Sequence, residues 1–258
     1  MHTAVTPVCT LIAFHRVWED APLVLAVNRD EEYDRPAAPP AVTGAATAIL
    51  TPRDERAGGT WMGANAGGLW VGLTNRDGER EDPLRRSRGL LCMDLLGETG
   101  PEAVVDRLRD PDRAYNPFSL VAGDASSLWI VEHAGGRSIP RRLAPGVHLV
   151  TNRPFEAMPQ ESKVERARRR LEEEGLWPEG PGGLAPDDLE ERLAAVIGDH
   201  GVHGHDALCL HGGRYGTRSG AVWRIGTAGS SGEAALLAYA DGPPCSTRFR
   251  RFRLPSMS

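Results

Sequence analysis

Leu23-Val24-Leu25-Ala26-Val27-Asn28-Arg29-Asp30-Glu31 runs from five consecutive apolar residues straight into four polar ones. An apolar run this short and rich in branched side chains reads as a buried β-strand, because a helix needs about ten or more residues and a 3.6-residue repeat. Upstream, Cys9-Thr10-Leu11-Ile12-Ala13-Phe14 is a second compact apolar run, and the polar residues from Arg16 to Pro22 between them predict a β-hairpin. Strand pairing then sets the Cys9 thiol level with the polar end of the quoted stretch, near Asn28 to Glu31. A neighbouring guanidinium would favour the thiolate and make Cys9 a candidate nucleophile. The competing reading is that a buried cysteine is simply a small hydrophobe.

The same punctuation recurs twice. Gly72-Leu73-Thr74-Asn75-Arg76 and Leu149-Val150-Thr151-Asn152-Arg153 each place an Asn-Arg pair directly after an apolar run. A carboxamide offers two donors and an acceptor, and a guanidinium offers five donors. Three such strand ends on one edge would make a donor-rich rim suited to an anion or oxyanion. Alternatively, asparagine stands there because it tolerates the turn that ends a strand.

Further along, the three prolines of Asp34 to Pro40 predict a break in regular structure. Thr60-Trp61-Met62-Gly63, a glycine-rich turn and Leu69 to Leu73 predict a second hairpin, in which Trp61 and Trp70 either line an apolar cavity or belong to the core. Helices are expected over Arg88 to Glu98, Pro101 to Arg109, Ser162 to Glu174 and Pro186 to Ile197, with a Pro/Gly-rich break from Trp177 to Leu184. Strands are expected at Phe118 to Ala122, Ser127 to Val131, Gly146 to Val150, Ala207 to Leu210, Ala221 to Ile225, Ala234 to Tyr239 and Thr247 to Leu254. Strands flanking a helical block predict a layered α+β architecture with largely antiparallel sheet, filling one domain over residues 1–258.

With 30 basic and 35 acidic residues, the net charge of −5 is too balanced for a nucleic-acid groove. No apolar run approaches the roughly 20 residues that span a bilayer, and the start lacks the pattern of a signal peptide, so a cytoplasmic location without membrane insertion is expected. The four cysteines make no C-x-x-C pair, which predicts reduced thiols. His200, His203, His205, Cys209 and His211 crowd together, but their spacing matches no standard ligand set, so no metal is expected. A small molecule is the expected partner.

In chain order, the sequence carries Cys9-Thr10, Ala26-Val27-Asn28-Arg29-Asp30-Glu31, Gly58-Gly59-Thr60-Trp61-Met62-Gly63, Leu73-Thr74-Asn75, Tyr115-Asn116-Pro117-Phe118, Thr151-Asn152 and Tyr215-Gly216-Thr217-Arg218-Ser219. These blocks resemble the NRDE family, that of the Transport and Golgi organisation protein 2 homologues, over nearly the whole chain. The resemblance implies the four-layer αββα sandwich of N-terminal-nucleophile hydrolases. A weaker similarity reaches the choloylglycine-hydrolase and penicillin V acylase branch, whose site combines a processed N-terminal Cys, an Arg, an Asp and two strand-end Asn residues. Carried over, it implies Cys9 as nucleophile, Arg29 holding the thiolate, Asp30 orienting the amine, and Asn75 and Asn152 as oxyanion donors, with Lys163 in place of a second arginine. Asn28, Trp61, Lys163 and Arg218 are the expected substrate-binding residues, Arg218 being presented by a turn at Tyr215 to Ser219.

Two departures from that branch matter. Arg29 and Asp30 are adjacent, so on a strand their side chains point to opposite faces. Residues 1–8 precede Cys9, and such enzymes use the free α-amine of the nucleophile as base, so either this leader is removed, translation begins nearer the cysteine, or Cys9 lacks its base and the site only binds. Two functions follow as expectations: a cofactor-free hydrolase of a linear amide or related acyl bond, or a carrier of haem, acyl-CoA or lipid on the same scaffold.

Overall fold

In the computed structural model, residues 9–44, 47–76, 81–109, 114–154, 157, 162–177, 186–201, 206–226 and 232–256 are described. The strands are β1 (Thr10–His15), β2 (Leu23–Glu32), β3 (Ala37–Thr43), β4 (Ile49–Asp54), β5 (Met62–Asn65), β6 (Trp70–Asn75), β7 (Phe118–Gly123), β8 (Leu128–Ala134), β9 (Arg137–Leu143), β10 (Gly146–Val150), β11 (Tyr215–Ile225), β12 (Glu233–Ala240) and β13 (Arg250–Pro255). The helices are α1 (Arg88–Leu95), α2 (Pro101–Arg109), α3 (Ser162–Glu173) and α4 (Pro186–Ile197).

β1 and β2 form the expected hairpin, with Thr10 opposite Asn28 and His15 opposite Leu23. Its other neighbours extend it into a six-stranded sheet, β10-β1-β2-β11-β12-β13, which faces a seven-stranded sheet, β3-β4-β5-β6-β7-β8-β9. Alternation along β2 decides the layering. Leu23, Leu25 and Val27 pack against Leu50, Met62, Trp70 and Ile130 of the second sheet. Val24 and Ala26 instead meet Ala167 and Leu171 of α3 and Leu193 and Val196 of α4. On the far side, Leu91, Leu95, Val104 and Leu108 of α1 and α2 cover Val71, Phe118, Leu120 and Val131. The result is helix, sheet, sheet, helix.

Four expectations need correction. The proline-rich Asp34 to Pro40 does not stay irregular, since Ala37–Thr43 forms β3. β3 is an edge strand whose register shifts between Ala38 and Ala41, so Pro39 and Pro40 sit where their missing N–H groups are tolerated. β4 and β9 lie outside the expected strands; β9 is a largely polar edge strand without the alternation that marks a half-buried one. Ala207 to Leu210 is a loop whose Leu208 and Cys209 N–H groups both donate to the Asp199 carbonyl. Tyr215 to Ser219 is the start of β11, with a register shift between Thr217 and Ser219 in place of the expected turn. Among the described residues, no helix is long and apolar enough to cross a membrane.

Candidate active site

A cavity of about 580 Å³ opens between the sheets, its wall including Cys9, Arg29, Trp61, Met62, Asn75 and Tyr215. That volume suits a drug-sized organic ligand. Cys9 stands immediately before β1, where the hairpin register carries it beside the polar end of β2. Its thiol donates to the Asp30 backbone carbonyl at 3.8 Å, and the same oxygen accepts the Tyr215 hydroxyl.

Arg29 and Asp30 diverge as strand alternation demands. Arg29 turns into the cavity, its Nη2 lying 3.3 Å from Asp54 Oδ2 and 3.6 Å from Glu31 Oε2, with the guanidinium carbon 4.1 Å from the centre of the Trp61 ring. Asp30 turns to the helix layer, where Lys163 Nζ of α3 lies 3.2 Å from Oδ2 and Thr217 donates its hydroxyl to Oδ1 at 2.6 Å. Burial raises the Asp30 carboxyl above its ordinary value, against the opposing pull of Lys163 and Thr217.

The ionisation of Cys9 departs from the expected guanidinium-stabilised thiolate. Burial, with the negative charge of Asp30 next, pushes the thiol from 9.0 up to about 12; Lys163 and Arg29 pull the other way too weakly to win. Arg29 is already committed to Asp54 and Glu31, which neutralise its charge. At neutral pH the sulfur therefore keeps its proton until a base takes it. In the intact chain, iodoacetamide alkylation of Cys9, followed peptide by peptide in the mass spectrometer, should be slow at pH 8 and rise only above pH 9. An inflection at or below pH 9 would show an environment that favours the thiolate.

The asparagines separate. Asn75 is exposed at the end of β6 and lines the cavity. Asn152 is buried beyond β10 and is not part of the cavity wall, although the Thr74 hydroxyl donates to the Thr151 carbonyl at 3.2 Å and so ties the two strand ends together. Asn28, expected on the same rim, instead donates its amide to the Ile197 and Leu208 carbonyls at 2.7 and 2.8 Å, clamping the end of α4 and the following loop to the sheet. Arg218 also leaves the expected position: β11 carries it outward to Asp241, 2.9 Å away, and it lines no part of the cavity. Lys163 is buried against Asp30.

Asp54, Glu31, Thr217 and Tyr215 complete the surroundings of Cys9 and Arg29 without having been singled out from the sequence. For Tyr215 and Thr217 a signal existed in the Tyr215 to Ser219 block; for Asp54 there was none, because β4 itself was not expected. Arg29 Nη1 and Trp61 Nε1 are buried donors of the cavity wall with no hydrogen-bond partner among the described residues. Leaving such groups unpaired costs about 1–3 kcal/mol each, so they point to a ligand that brings an acceptor oxygen. Among the described residues, the wall contains no histidine.

Comparison with known proteins bears on this geometry. The family described as Transport and Golgi organisation 2 matches residues 8–229. The Transport and Golgi organization 2 homolog of Mus musculus is 33% identical over 138 residues, 50% of each chain, and the Homo sapiens homologue is 31% identical over the same length. The chain thus spans about half the length of the curated relatives it matches. Among solved structures, a Caenorhabditis elegans N-acylethanolamine-hydrolyzing acid amidase ortholog superimposes with a TM-score of 0.57 at 12% identity, over 96% of this chain and 100% of that one. A variant of the conjugated bile acid hydrolase of Clostridium perfringens gives 0.50 at 11%, over 97% and 99%. The fold is the αββα sandwich of N-terminal-nucleophile hydrolases.

Proposed function

The chain belongs to the Transport and Golgi organisation 2 family, and from that premise and the cavity geometry we propose that it hydrolyses a linear amide or related acyl bond with Cys9 as nucleophile. The observation that carries this reading is the place of Cys9: a thiol at the head of the first strand, in the wall of a ligand-sized cavity, beside unpaired donors on Arg29 and Trp61.

In this reading, removal of residues 1–8 frees the Cys9 α-amine, whose ordinary pKa of about 8 leaves a useful neutral fraction at physiological pH. The amine takes the thiol proton, and the sulfur attacks the substrate carbonyl. In this reading Asn75 and the Arg29 and Trp61 donors receive the oxyanion, with Asn152 a further donor from the adjoining strand end. The tetrahedral adduct collapses, the proton passes to the leaving amine, and a thioester remains on Cys9. Water then attacks the thioester, returning the thiol and releasing the acid.

The eight residues that precede Cys9 in the sequence favour a second reading. While Cys9 keeps its leader it has no α-amine to act as base, and the cavity then serves as a carrier site for haem, acyl-CoA or another lipid. Of the possible axial donors for haem, the cavity wall offers Cys9 and Tyr215. Intact mass of the protein purified from its own host separates the two. Loss of residues 1–8 together with turnover of fluorogenic N-acyl amides is the expected result. A full-length mass, no turnover and a saturable Soret shift with haem would overturn the hydrolase.

A further inference from the structure

On the helix side of the six-stranded sheet, His200, Cys209, His211 and Cys245 present four donor atoms that all lie within 4.8 Å of one another. They come from three segments: His200 just past α4, Cys209 and His211 in the loop before β11, and Cys245 in the connection between β12 and β13. Cys209 Sγ lies 3.6 Å from His211 Nε2 and 3.6 Å from Cys245 Sγ, and His211 Nε2 lies 3.2 Å from Cys245 Sγ. The His200 ring meets that of His211 edge-on, with centroids 5.0 Å apart. A zinc ion with bonds of about 2.3 Å to sulfur and 2.0–2.1 Å to nitrogen has ligand-to-ligand edges of roughly 3.3–3.8 Å in a tetrahedron. The three separations sit in or beside that range, whereas a disulfide would need its sulfurs at about 2.05 Å.

We propose that His200, Cys209, His211 and Cys245 bind one zinc-class divalent cation in a closed, four-coordinate structural site. Binding releases the two thiol protons to solvent, and the two thiolates neutralise the ion. Cys209 is buried while the other three donors are exposed, which leaves the ion a path from solvent. Local spacing hid the site because the fourth donor is 34 residues from His211. His203 and His205, grouped with these residues in the sequence, lie outside the described residues.

The ion has a structural task there. Asn28 already grips the Ile197 and Leu208 carbonyls, and the Leu210 N–H donates to the Thr217 hydroxyl at 2.8 Å, which itself donates to Asp30. Joining the end of α4, this loop and the β12–β13 connection would hold the loop that buttresses Asp30 behind the cavity.

The test is a cobalt titration of the full-length protein, stripped with a chelator and kept under a non-thiol reductant. Expected are saturation at one cobalt per chain, the strong visible absorption of a tetrahedral ion with a thiolate charge-transfer band, and displacement by zinc. Cys245→Ser and His211→Ala change exposed residues, and circular dichroism checks that both variants fold. Each should weaken binding by at least about 100-fold, beyond the 10–100-fold typical of losing a supporting group around a metal site. Absence of saturable binding, a weak spectrum without the thiolate band, unchanged affinity in Cys245→Ser, or a Cys209–Cys245 disulfide persisting under reductant would each overturn the site.

Discussion

Lys163→Met is expected to lower the stability of the fold by about 3–5 kcal/mol, and the thermal midpoint by roughly 6–20 °C. Lys163 and Asp30 are almost wholly buried, with side chains 2% and 0% exposed, and face each other at 3.2 Å. Removing the cation strands a carboxylate in the helix-sheet interface with only the Thr217 hydroxyl on its Oδ1. Most of the loss is that desolvated charge, so Asp30→Asn added to Lys163→Met should recover much of it. The pH dependence has a definite sign. Burial already raises the Asp30 carboxyl in the folded state, and losing Lys163 raises it further. A folded value above the unfolded one means that the folded protein takes up the proton more readily. Compared at pH 8 and pH 5, the deficit of the single variant is then the larger at the higher pH. Chemical denaturation at the two pH values measures it, and a deficit below about 1 kcal/mol, or one indifferent to pH, would show that the pair does not carry this interface.

Under the hydrolysis proposed above, Cys9→Ala is expected to abolish amide turnover while leaving the thermal midpoint within a few degrees of the parent. Loss of a covalent nucleophile removes the only route through the acyl intermediate, and in a well-measured serine hydrolase it costs roughly 10⁶-fold in kcat. The structural cost is small by comparison, because Cys9 precedes β1 and its side chain gives up one weak hydrogen bond at 3.8 Å. Turnover and melting should therefore separate cleanly in this variant. In Lys163→Met they should fall together. Turnover surviving in Cys9→Ala would remove the sulfur from the chemistry while leaving the cavity as a binding site.

Much of the frame was legible because it rests on local pattern. The β1–β2 hairpin, the second hairpin at β5–β6 and, among the described residues, helices α1 to α4 were marked by apolar runs, turn residues and 3.6-residue spacing. Two of the three missed strands, β3 and β9, share a different trait; the third, β4, is an interior strand. β3 carries Pro39 and Pro40 and β9 is largely polar, features tolerated at a sheet edge, where one flank needs no partner. Edge position is a property of the finished sheet, so no local signal announces it. The candidate site divides in the same way. Cys9 beside Arg29 followed from hairpin register, and the opposed directions of Arg29 and Asp30 followed from strand alternation. The inward, clamping role of Asn28 and the outward course of Arg218 did not follow, because each depends on what packs against that face.

The amino-acid order alone determined which residues share a face, since a strand turns its side chains over every second residue and a helix every 3.6. Tertiary structure alone decided what each face meets: Asp54 reaching Arg29 from the opposite sheet, Lys163 reaching Asp30 from α3, and Cys245 arriving beside His211. It also decided the protonation of Cys9, because burial there outweighs the nearby cations. Desolvation and charge balance are sums over everything within a few ångströms, and those neighbours are assembled from segments far apart in the chain.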